Sequence, residues 1–280
     1  MLNIALASYF FHFCHMATKT KLPFYKYQGA GNDFILVDNR KLQFSHADAD
    51  KLAKLCDRRF GIGADGIMFL EPANGYDFRM VYYNADGKPS SMCGNGGRCI
   101  VAFAKFLGVI GDSTNFIAVD GPHYASVNPA GDWVSLQMID VNEIEKDGKD
   151  FVLNTGSPHY VKFTEQVADK DVFAEGRAIR NNSTYQKEGI NVNFAEPKLN
   201  HLFVRTFERG VEDETFACGT GATAVALANA YVNNAQGHNV TPIKVLGGDL
   251  KIVFDYDGER FSNIFLEGPA NQSFKGEVDF

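Results

Sequence analysis

Two cysteines of this chain stand in similar glycine-rich surroundings, Cys93 in CGNGG and Cys218 in CGTGA. An apolar pattern with helical spacing follows each motif, so each cysteine is predicted to lie at the N-terminus of a helix. Glycine destabilises a first helical turn, which indicates that these turns serve a purpose other than stability. A helix N-terminus offers free N–H groups and a partial positive charge, and we expect it to lower the pKa of the cysteine and to favour a bound carboxylate.

Together the two motifs predict acid–base chemistry at a single carbon atom. If the two helix starts face each other, a substrate carbon between them meets one sulfur on each face. A thiolate on one face can remove a proton while a thiol on the other face delivers one, which inverts the stereocentre. Two helix dipoles aimed at the substrate carboxylate also stabilise the negative charge that develops, so the scheme requires no metal and no organic cofactor.

The chain contains an internal repeat whose shift is 125 positions, the separation of Cys93 and Cys218. The same shift superimposes three further polar or glycine-rich stretches: 31–32 on 156–157, Gly66 on Asn191, and 78–84 on 203–209. A buried cysteine is more often a small apolar side chain than a nucleophile. A repeat with one register at four places favours a functional pair instead.

Strand-like segments separated by Gly, Asn and Asp turns surround each predicted helix. The chain lacks the strand–helix alternation of a doubly wound parallel sheet. We therefore predict an α+β fold of two pseudo-symmetric, similar domains, each a strongly curved, mostly antiparallel β-sheet or barrel around a central helix. The predicted divisions are an N-terminal extension (1–16), an N-terminal domain (17–135) and a C-terminal domain (136–280), whose last strands are able to pack back on the first domain.

Composition and charge restrict the partners of the protein. Of its 280 residues 45% are hydrophobic and 22% are charged, which is typical of a soluble globular protein. The net charge of -7 argues against a nucleic-acid partner or an anionic membrane, and no run is long enough to span a bilayer. Five cysteines without Cys-x-x-Cys spacing or a histidine cluster argue against a disulfide scaffold and a zinc site, and they favour a cytoplasmic location.

Two conspicuous segments do not have the function that their pattern first indicates. The first fifteen residues are apolar but lack the preceding basic residue and the cleavage site of a signal peptide, so His12, Cys14 and His15 are assigned no role. The sequence GIGADG at 61–66 matches the G-x-G-x-x-G pattern of dinucleotide sites. It lacks the preceding strand and the following helix that such a site requires, so no nucleotide is predicted.

Six short motifs together make the chain resemble the diaminopimelate epimerase family. They are GAGNDF (29–34), GIGADG (61–66), YNADG (83–87), CGNGGRC (93–99), ERG (208–210) and ACGTGA (217–222). Each is unspecific alone, but the combination is highly specific and covers almost the whole chain after the extension. The resemblance implies cofactor-independent, two-base epimerisation of LL-diaminopimelate to meso-diaminopimelate in lysine biosynthesis, performed by a cytoplasmic homodimer with the fold of that family.

The resemblance also implies roles for individual residues. Cys93 and Cys218 are the implied base and acid, with Cys93 taking the proton from the LL isomer. The implied carboxylate site consists of backbone N–H groups: those of Gly94, Asn95, Gly219 and Thr220. Further substrate contacts are implied for polar side chains: Asn32, Asn84, Asn191, Glu208 and Arg209. A guanidinium suits a distal carboxylate, and amides can both donate to and accept from an amino acid.

Three departures from the family pattern affect the predicted substrate site. Gly66 stands where the family often has Gln, and Ser157 stands where it often has the Asn of Asn-Pro-His. Loss of these amides would loosen or reshape recognition, unless water replaces them. The stretch ERGVEDETFACG is one residue longer than usual. His159 completes the candidate site, either as a buried supporting histidine or with a direct role.

Four alternatives remain open at this stage. The nearest is a related racemase or epimerase acting on proline or hydroxyproline, although Glu208-Arg209 and the YNADG stretch favour a substrate with a second charged end. An isomerase of the same fold without paired cysteines is disfavoured by Cys93 and Cys218. A thiol redox or metal-binding protein and a binding module with inert cysteines belong to other classes.

Overall fold

A computed structural model describes residues 20–90 and 92–280, so the predicted extension lies outside the described residues. The strands of the first half are β1 (Lys21–Gly29), β2 (Asn32–Asp38), β3 (Gly66–Glu71), β4 (Arg79–Asn84), β5 (Ser113–Ala118), β6 (Gly121–Val127) and β7 (Trp133–Gln137). Those of the second half are β8 (Glu145–Asp147), β9 (Asp150–Asn154), β10 (Pro158–Phe163), β11 (Asn191–Pro197), β12 (Leu202–Glu208), β13 (Asp213–Thr215), β14 (Gly237–Val245), β15 (Gly248–Tyr256), β16 (Phe261–Pro269) and β17 (Asn271–Asp279). The helices are α1 (Ala49–Cys56), α2 (Gly94–Phe106), α3 (Val172–Arg180) and α4 (Gly219–Val232), and Val167–Asp169 forms one 3-10 turn.

The strands form one hydrogen-bonded network that runs through both halves of the molecule. Most neighbouring pairs are antiparallel, and the parallel pairs include β2–β3 and β10–β11 at equivalent places in the repeat. The last strands return to the first half, where β17 pairs with β1 and β16 pairs with β7. The predicted α+β fold is confirmed, while the proposed domain boundaries remain a prediction.

Helices α2 and α4 each lie inside the curved sheet of one half. Every residue of α2 from Gly94 to Ala104 is buried, and the alanine-rich helix α4 is buried at ten of its 14 positions. A helix that is apolar all round is stable only when protein surrounds it on all sides. The sequence of each helix therefore explains its central position, and the surrounding strands fix where its N-terminus points.

The backbone registers show how closely the two halves repeat each other. Phe34 pairs with Gly66 in β2–β3, and the residues 125 positions later, His159 and Asn191, pair in β10–β11. The shift changes by one residue at the next strand, because Met68 pairs with Tyr82 whereas Asn193 pairs with Thr206.

The single shift of 125 suggested a repeat without gaps, but the strand pairings show that the repeat contains gaps of one residue. Strand β12 is equivalent to β4 with a shift of 124, so Glu208 rather than Arg209 corresponds to Asn84. The additional residue lies between β12 and α4, where Glu212 has a left-handed backbone with φ 58°. Measured between equivalent paired residues, the connection from β11 to β12 is one residue shorter than that from β3 to β4, which changes the shift to 124, and the longer loop after β12 restores it to 125 at Cys218.

Candidate active site

The two predicted helix starts meet in the structure. Cys93 and Cys218 are the N-cap residues of α2 and α4, and both have an extended backbone. A Cβ built on Gly219 would lie 3.6 Å from the Cα atom of Gly94 and 2.6 Å from Cδ2 of Leu266. A Cβ built on Gly94 would also lie 2.8 Å from Cδ2 of Leu266, so the Leu266 side chain leaves no room for a side chain on either first turn. Glycine therefore brings the two cysteines into one site.

Asn32 and Asn95 are the polar neighbours of Cys93. The Sγ atom of Cys93 lies 3.8 Å from Oδ1 of Asn32, and Nδ2 of Asn95 lies 3.4 Å from the same oxygen. The amide nitrogen of Asn32 donates to the carboxylate of Asp65. Since a carboxylate only accepts hydrogen bonds, this contact fixes the amide with its oxygen towards the sulfur.

An ionic cluster beneath Asn32 holds this arrangement in place. Arg58 donates to Asp33 at 2.6 Å and to Asp65 at 2.7 Å, and the nearly buried Lys26 donates to Asp33 at 2.6 Å. Burial acts to raise the pKa of Asp33, but the hydrogen bonds from Arg58 and Lys26 hold it well below its usual range. Asp33 therefore remains charged. Arg58, which binds both carboxylates, positions Asp65 against Asn32.

Arg98 introduces a buried positive charge beside Cys93. Its guanidinium is fully buried and donates to Oδ1 of Asn95 at 3.0 Å and to the carbonyl oxygen of Gly94 at 3.3 Å. Within residues 20–90 and 92–280 no carboxylate lies within salt-bridge distance of it. Burial raises the pKa of Cys93, and the charge of Arg98 acts in the opposite direction without outweighing it. Burial also lowers the pKa of Arg98 itself.

Glu208 and Thr220 are the polar neighbours of Cys218. The thiol shares a hydrogen bond with the Glu208 carboxylate, which also accepts one from the hydroxyl of Thr215. Oγ1 of Thr220 lies 3.5 Å from the sulfur. Burial raises the pKa of Glu208 above its ordinary value, and both hydrogen bonds act in the opposite direction.

His159 is fully buried and lies behind Thr220. Its Nε2 atom is 2.9 Å from Oγ1 of Thr220, and its Nδ1 atom is 3.1 Å from Nδ2 of Asn193. Burial and the positive charge of Arg209 lower the pKa of His159 to about 3, so the imidazole is neutral at physiological pH. The histidine thus reaches the Cys218 sulfur through a threonine hydroxyl.

Both thiols have a pKa above the ordinary cysteine value, contrary to the expectation from their helix positions. Burial is the largest cause for each. The N–H groups of Gly96 and Asn95 lower the pKa of Cys93, and that of Gly221 lowers the pKa of Cys218, but neither effect outweighs burial. The expectation was wrong because a helix N-terminus is visible in the sequence, whereas the degree of desolvation is not.

A third group of predicted residues lies at the rim of the site. The side-chain amide of Asn191 donates to Oγ of Ser157 at 2.9 Å, and its oxygen accepts from the backbone N–H of Arg209 at 2.9 Å. The exposed Arg209 guanidinium also lies 3.3 Å from Oγ of Ser157. Ser157, one of the departures from the family pattern, therefore binds both of its neighbours.

Gly66 and Asn84 pair with each other across β3 and β4. A Cβ at Gly66 would lie 2.5 Å from the ring of Tyr82 and 2.5 Å from the carbonyl oxygen of Tyr83, so this backbone accepts only glycine. The ring of Tyr82 occupies the space that a side chain at position 66 would need. Its pKa is raised by burial and by the charges of Cys93, Asp65 and Glu208.

The structure thus brings most predicted side chains into three groups, around Cys93, around Cys218 and at the rim, and the two helix starts join the first two groups. Four residues at the site were not predicted: Asp65, Tyr82, Arg98 and Asn193. Asp65 and Arg98 belong to motifs that were recognised for other reasons, GIGADG and CGNGGRC. Tyr82 and Asn193 stand in ordinary strand sequences, so only the fold reveals their positions.

Residues 20–90 and 92–280 hold no cluster of three or more His, Cys, Asp or Glu suited to a metal ion. Within the same ranges, no helix has the length and apolar character needed to cross a membrane.

The sequence profile of the diaminopimelate epimerase family matches residues 24–142 and 151–272. A protein named diaminopimelate epimerase from Flavobacterium psychrophilum is 50% identical over 92% of this chain and 100% of its own length. This chain belongs to the diaminopimelate epimerase family. A relative of the same name from Chlorobaculum tepidum is 40% identical over 89% of the chain and 98% of its own length. The predicted family is confirmed, and with it the assignment to the isomerases.

Solved structures show how widely the fold occurs. The Bacillus anthracis phenazine biosynthesis protein of the PhzF family has a TM-score of 0.72 at 13% identity, and the match covers 92% of this chain and 99% of that one. A hydroxyproline epimerase from Agrobacterium vitis has a TM-score of 0.65 at 12% identity, with 95% of each chain covered. At these identities the similarity demonstrates a shared fold and says nothing about substrate.

Proposed function

We propose that the protein interconverts LL- and meso-diaminopimelate by proton transfer at one α-carbon, with Cys93 and Cys218 on opposite faces. The observation that carries the proposal is the contact of two cysteine-bearing helix starts through Gly94 and Gly219. Membership of the family supports the choice of substrate.

The proposed proton path begins with ionisation of Cys93. Burial and the negative charge of Glu208 raise the pKa of both thiols, and they hold that of Cys218 well above its ordinary value. The charge of Arg98 acts in the opposite direction on Cys93. The Cys93 thiolate would take the α-proton of the LL isomer, and the protonated Cys218 would donate its proton to the other face. The Glu208 carboxylate, hydrogen-bonded to Cys218, is placed to share the proton of this acid.

The carboxylate at the reacting carbon would bind the converging helix N-termini. There the N–H groups of Gly94, Asn95, Gly219 and Thr220 and the two helix dipoles favour negative charge. The charge that develops when the α-proton leaves is delocalised onto this carboxylate, so the same groups would stabilise the transition state more than the substrate.

The second charged end of the substrate would bind at the rim. Arg209 supplies a guanidinium held against Ser157, with the Asn191 amide on the other side of the same hydroxyl. The carboxylate of the distal end fits this guanidinium, and Asn32 and Asn84 are the proposed contacts for other polar groups. A proline-type substrate lacks a second charged end, so the rim supports diaminopimelate over the racemase alternative.

The family resemblance alone supports three further parts of the proposal. They are independence of a cofactor, a cytoplasmic location and a homodimer. Light scattering coupled to size-exclusion chromatography would measure the molar mass, and a value of about 31 kDa rather than twice that would contradict the dimer.

Proton NMR of LL-diaminopimelate in deuterated buffer, without added cofactor, tests the activity. We expect solvent deuterium at the α-carbon together with formation of the meso isomer, separated by chiral chromatography. Exchange with proline or hydroxyproline but not with diaminopimelate would replace the proposed substrate and keep the two-thiol chemistry. Absence of exchange with every amino acid would refute the proposed function and favour a binding module.

A further inference from the structure

The buried side chain of Asn193 on β11 links the sheet of the second half to the sulfur of Cys218. Its amide contacts His159, His159 contacts Thr220, and Thr220 contacts the sulfur. Asn193 is itself fully buried. The direction of each hydrogen bond in this series follows from which atoms are able to donate.

The orientation of the Asn193 amide is fixed by its two other partners. Nδ2 donates to the backbone oxygen of Tyr160 at 2.9 Å, and Oδ1 accepts from the hydroxyl of Thr206 at 3.0 Å. A flipped amide would place its oxygen against the Tyr160 oxygen, and neither atom can donate. Nδ2 therefore faces His159, and its second hydrogen points at Nδ1.

This orientation determines the tautomer of His159. Because Nδ1 accepts a hydrogen bond from Asn193, the single proton of the neutral ring is on Nε2. Nε2 then donates to Oγ1 of Thr220 across 2.9 Å. In the opposite tautomer, the hydrogen on Nδ1 would point at a hydrogen of the Asn193 amide, and Nε2 would accept from the Thr220 hydroxyl.

The hydroxyl hydrogen of Thr220 then points at Cys218. Oγ1 already accepts from His159, and the hydrogen of the thiol is shared with the Glu208 carboxylate, which is the stronger acceptor. The free lone pairs of the sulfur are left for the Thr220 hydroxyl at 3.5 Å. All donors in the series point one way, from Thr206 through Asn193, His159 and Thr220 to the sulfur.

We propose that Asn193 is a positioning residue that sets the Nε2–H tautomer of His159 and thereby keeps a hydroxyl donor on the Cys218 sulfur. The donor stabilises the thiolate that remains each time Cys218 gives its proton to the substrate. The inference rests on the proposed function, since it assumes that Cys218 exchanges a proton with substrate.

The first half of the molecule shows that the fold does not require this network. The residues 125 positions before His159 and Asn193 are Phe34 and Met68, in the same strand register. Both are fully buried apolar side chains, and both lie next to Gly96 at the start of α2. The same backbone is therefore compatible with an apolar pair, so the polar pair behind Cys218 serves the thiol.

Nitrogen NMR of the full-length protein, labelled with 15N-histidine, tests the tautomer directly. We expect one ring with an unprotonated Nδ1 and a protonated Nε2, assigned by its disappearance in His159→Gln. A wild-type His159 with its proton on Nδ1 would overturn the inference. The spectrum requires no substrate, so its result is independent of whether the proposed function holds.

Kinetics of Asn193→Met test whether the tautomer matters, because methionine is the residue at the equivalent place in the first half. The variant should weaken the hydrogen bond from the Thr220 hydroxyl to the Cys218 thiolate, so kcat should fall about 10- to 100-fold with little change in KM. Thr114→Val removes a buried hydroxyl outside the site, which donates to Asp77, and should change kcat by less than about threefold. A fall of the same size in Thr114→Val would overturn the specific role of Nδ2.

A double variant separates positioning from a general loss of structure. Thr220→Val interrupts the series between His159 and Cys218, so adding Asn193→Met should cause no further fall in kcat. Independent, multiplicative losses would overturn the inference. If the wild type itself fails to epimerise diaminopimelate, the proposed function is refuted, while the NMR spectrum still decides the tautomer.

Discussion

The two halves of the molecule share a backbone but surround their cysteines with different charges. Cys93 has a buried cation, Arg98, one helical turn away, whereas the residue 125 positions after Arg98 is the neutral Thr223. Cys218 has the half-buried carboxylate of Glu208 as its hydrogen-bond partner, and the charge of Glu208 raises the pKa of Cys93 as well. An internal repeat therefore supplies matching geometry, and substitutions within it make one thiol more acidic than the other.

The difference extends to the layer behind each helix start. An amide, an imidazole and a hydroxyl lie behind Cys218, whereas Phe34 and Met68 occupy the equivalent strand positions of the first half. The neighbour of Cys93 is instead Asn32, the first residue of β2, whose side-chain amide donates a hydrogen bond to Asp65. The two thiols therefore have different polar neighbours, although the charge of Glu208 raises the pKa of both and the charge of Cys93 adds to the pKa of Cys218.

The largest expected effect is the loss of either thiol. Cys93→Ser and Cys218→Ser should each lower kcat by about 10³-fold or more, because a serine hydroxyl is a far weaker acid and base at these positions. The NMR exchange assay measures both. Cys56→Ser, a buried cysteine outside the site, is the matched control and should retain activity. A fully active Cys218→Ser protein would contradict the two-base scheme.

The next comparison uses equivalent glycines in the first turns of α2 and α4. A Cβ at Gly221 would overlap Oδ1 of Asn193 and approach the Cys218 sulfur to 3.3 Å, whereas a Cβ at Gly96 would meet the flexible end of Met68. Gly221→Ala should therefore lower kcat about 10- to 100-fold, since it displaces a hydrogen-bonded amide. Gly96→Ala should lower kcat less than about threefold, since core methionine adapts. Equal losses would contradict the account.

A smaller effect is expected from removing the buried charge. Arg98→Met should shift the alkylation of Cys93 to higher pH, because a nearby cation stabilises the thiolate, and should lower kcat about 10-fold. Thr223→Val, at the equivalent position, should leave the pH dependence of Cys218 alkylation unchanged. Mass spectrometry of the alkylated peptides reports each thiol separately. If the pH dependence of Cys93 alkylation is the same in Arg98→Met as in the wild type, Arg98 does not influence the acidity of Cys93.

The smallest predicted effect concerns stability in acid. His159 has a pKa of about 3 in the folded protein and an ordinary value near 6.5 when unfolded, so the unfolded chain binds more protons between these limits. The free energy of unfolding should therefore fall by about 1.4 kcal/mol per pH unit as the pH decreases from 6 to 4. Urea denaturation measures this slope. His159→Phe, which copies Phe34, should make the slope shallower, and an unchanged slope would contradict a neutral His159.

The sequence was sufficient for the family, the fold class and the pairing of two cysteine-bearing helix starts. Each CGxG motif before an apolar helical pattern predicted that its cysteine lies at a helix N-terminus, because that position depends on local sequence alone. Burial was not predictable in the same way, so the direction of the thiol pKa shift was wrong. The one-residue change in register before Cys218 was also hidden, because it appears only when strand partners are known.

Asn193 shows why part of the site escaped prediction. In NVNF it looks like an ordinary strand position, and nothing in the local pattern reveals that its amide faces a buried histidine. Arg98 was visible within CGNGGRC, but its burial, with no carboxylate at salt-bridge distance among residues 20–90 and 92–280, follows only from packing against Gly94 and Asn95. Contacts between segments distant in sequence determine both roles.

The unequal acidity of the two thiols is the central claim, and one measurement tests it directly. Wild-type protein is alkylated with iodoacetamide over a range of pH, and the rates at Cys93 and Cys218 are read from the same digests by mass spectrometry. Both thiols should react more slowly than a free cysteine at neutral pH, since burial raises both pKa values. Cys93 should begin to react at a lower pH than Cys218. Coincident profiles, or earlier reaction of Cys218, would contradict the account.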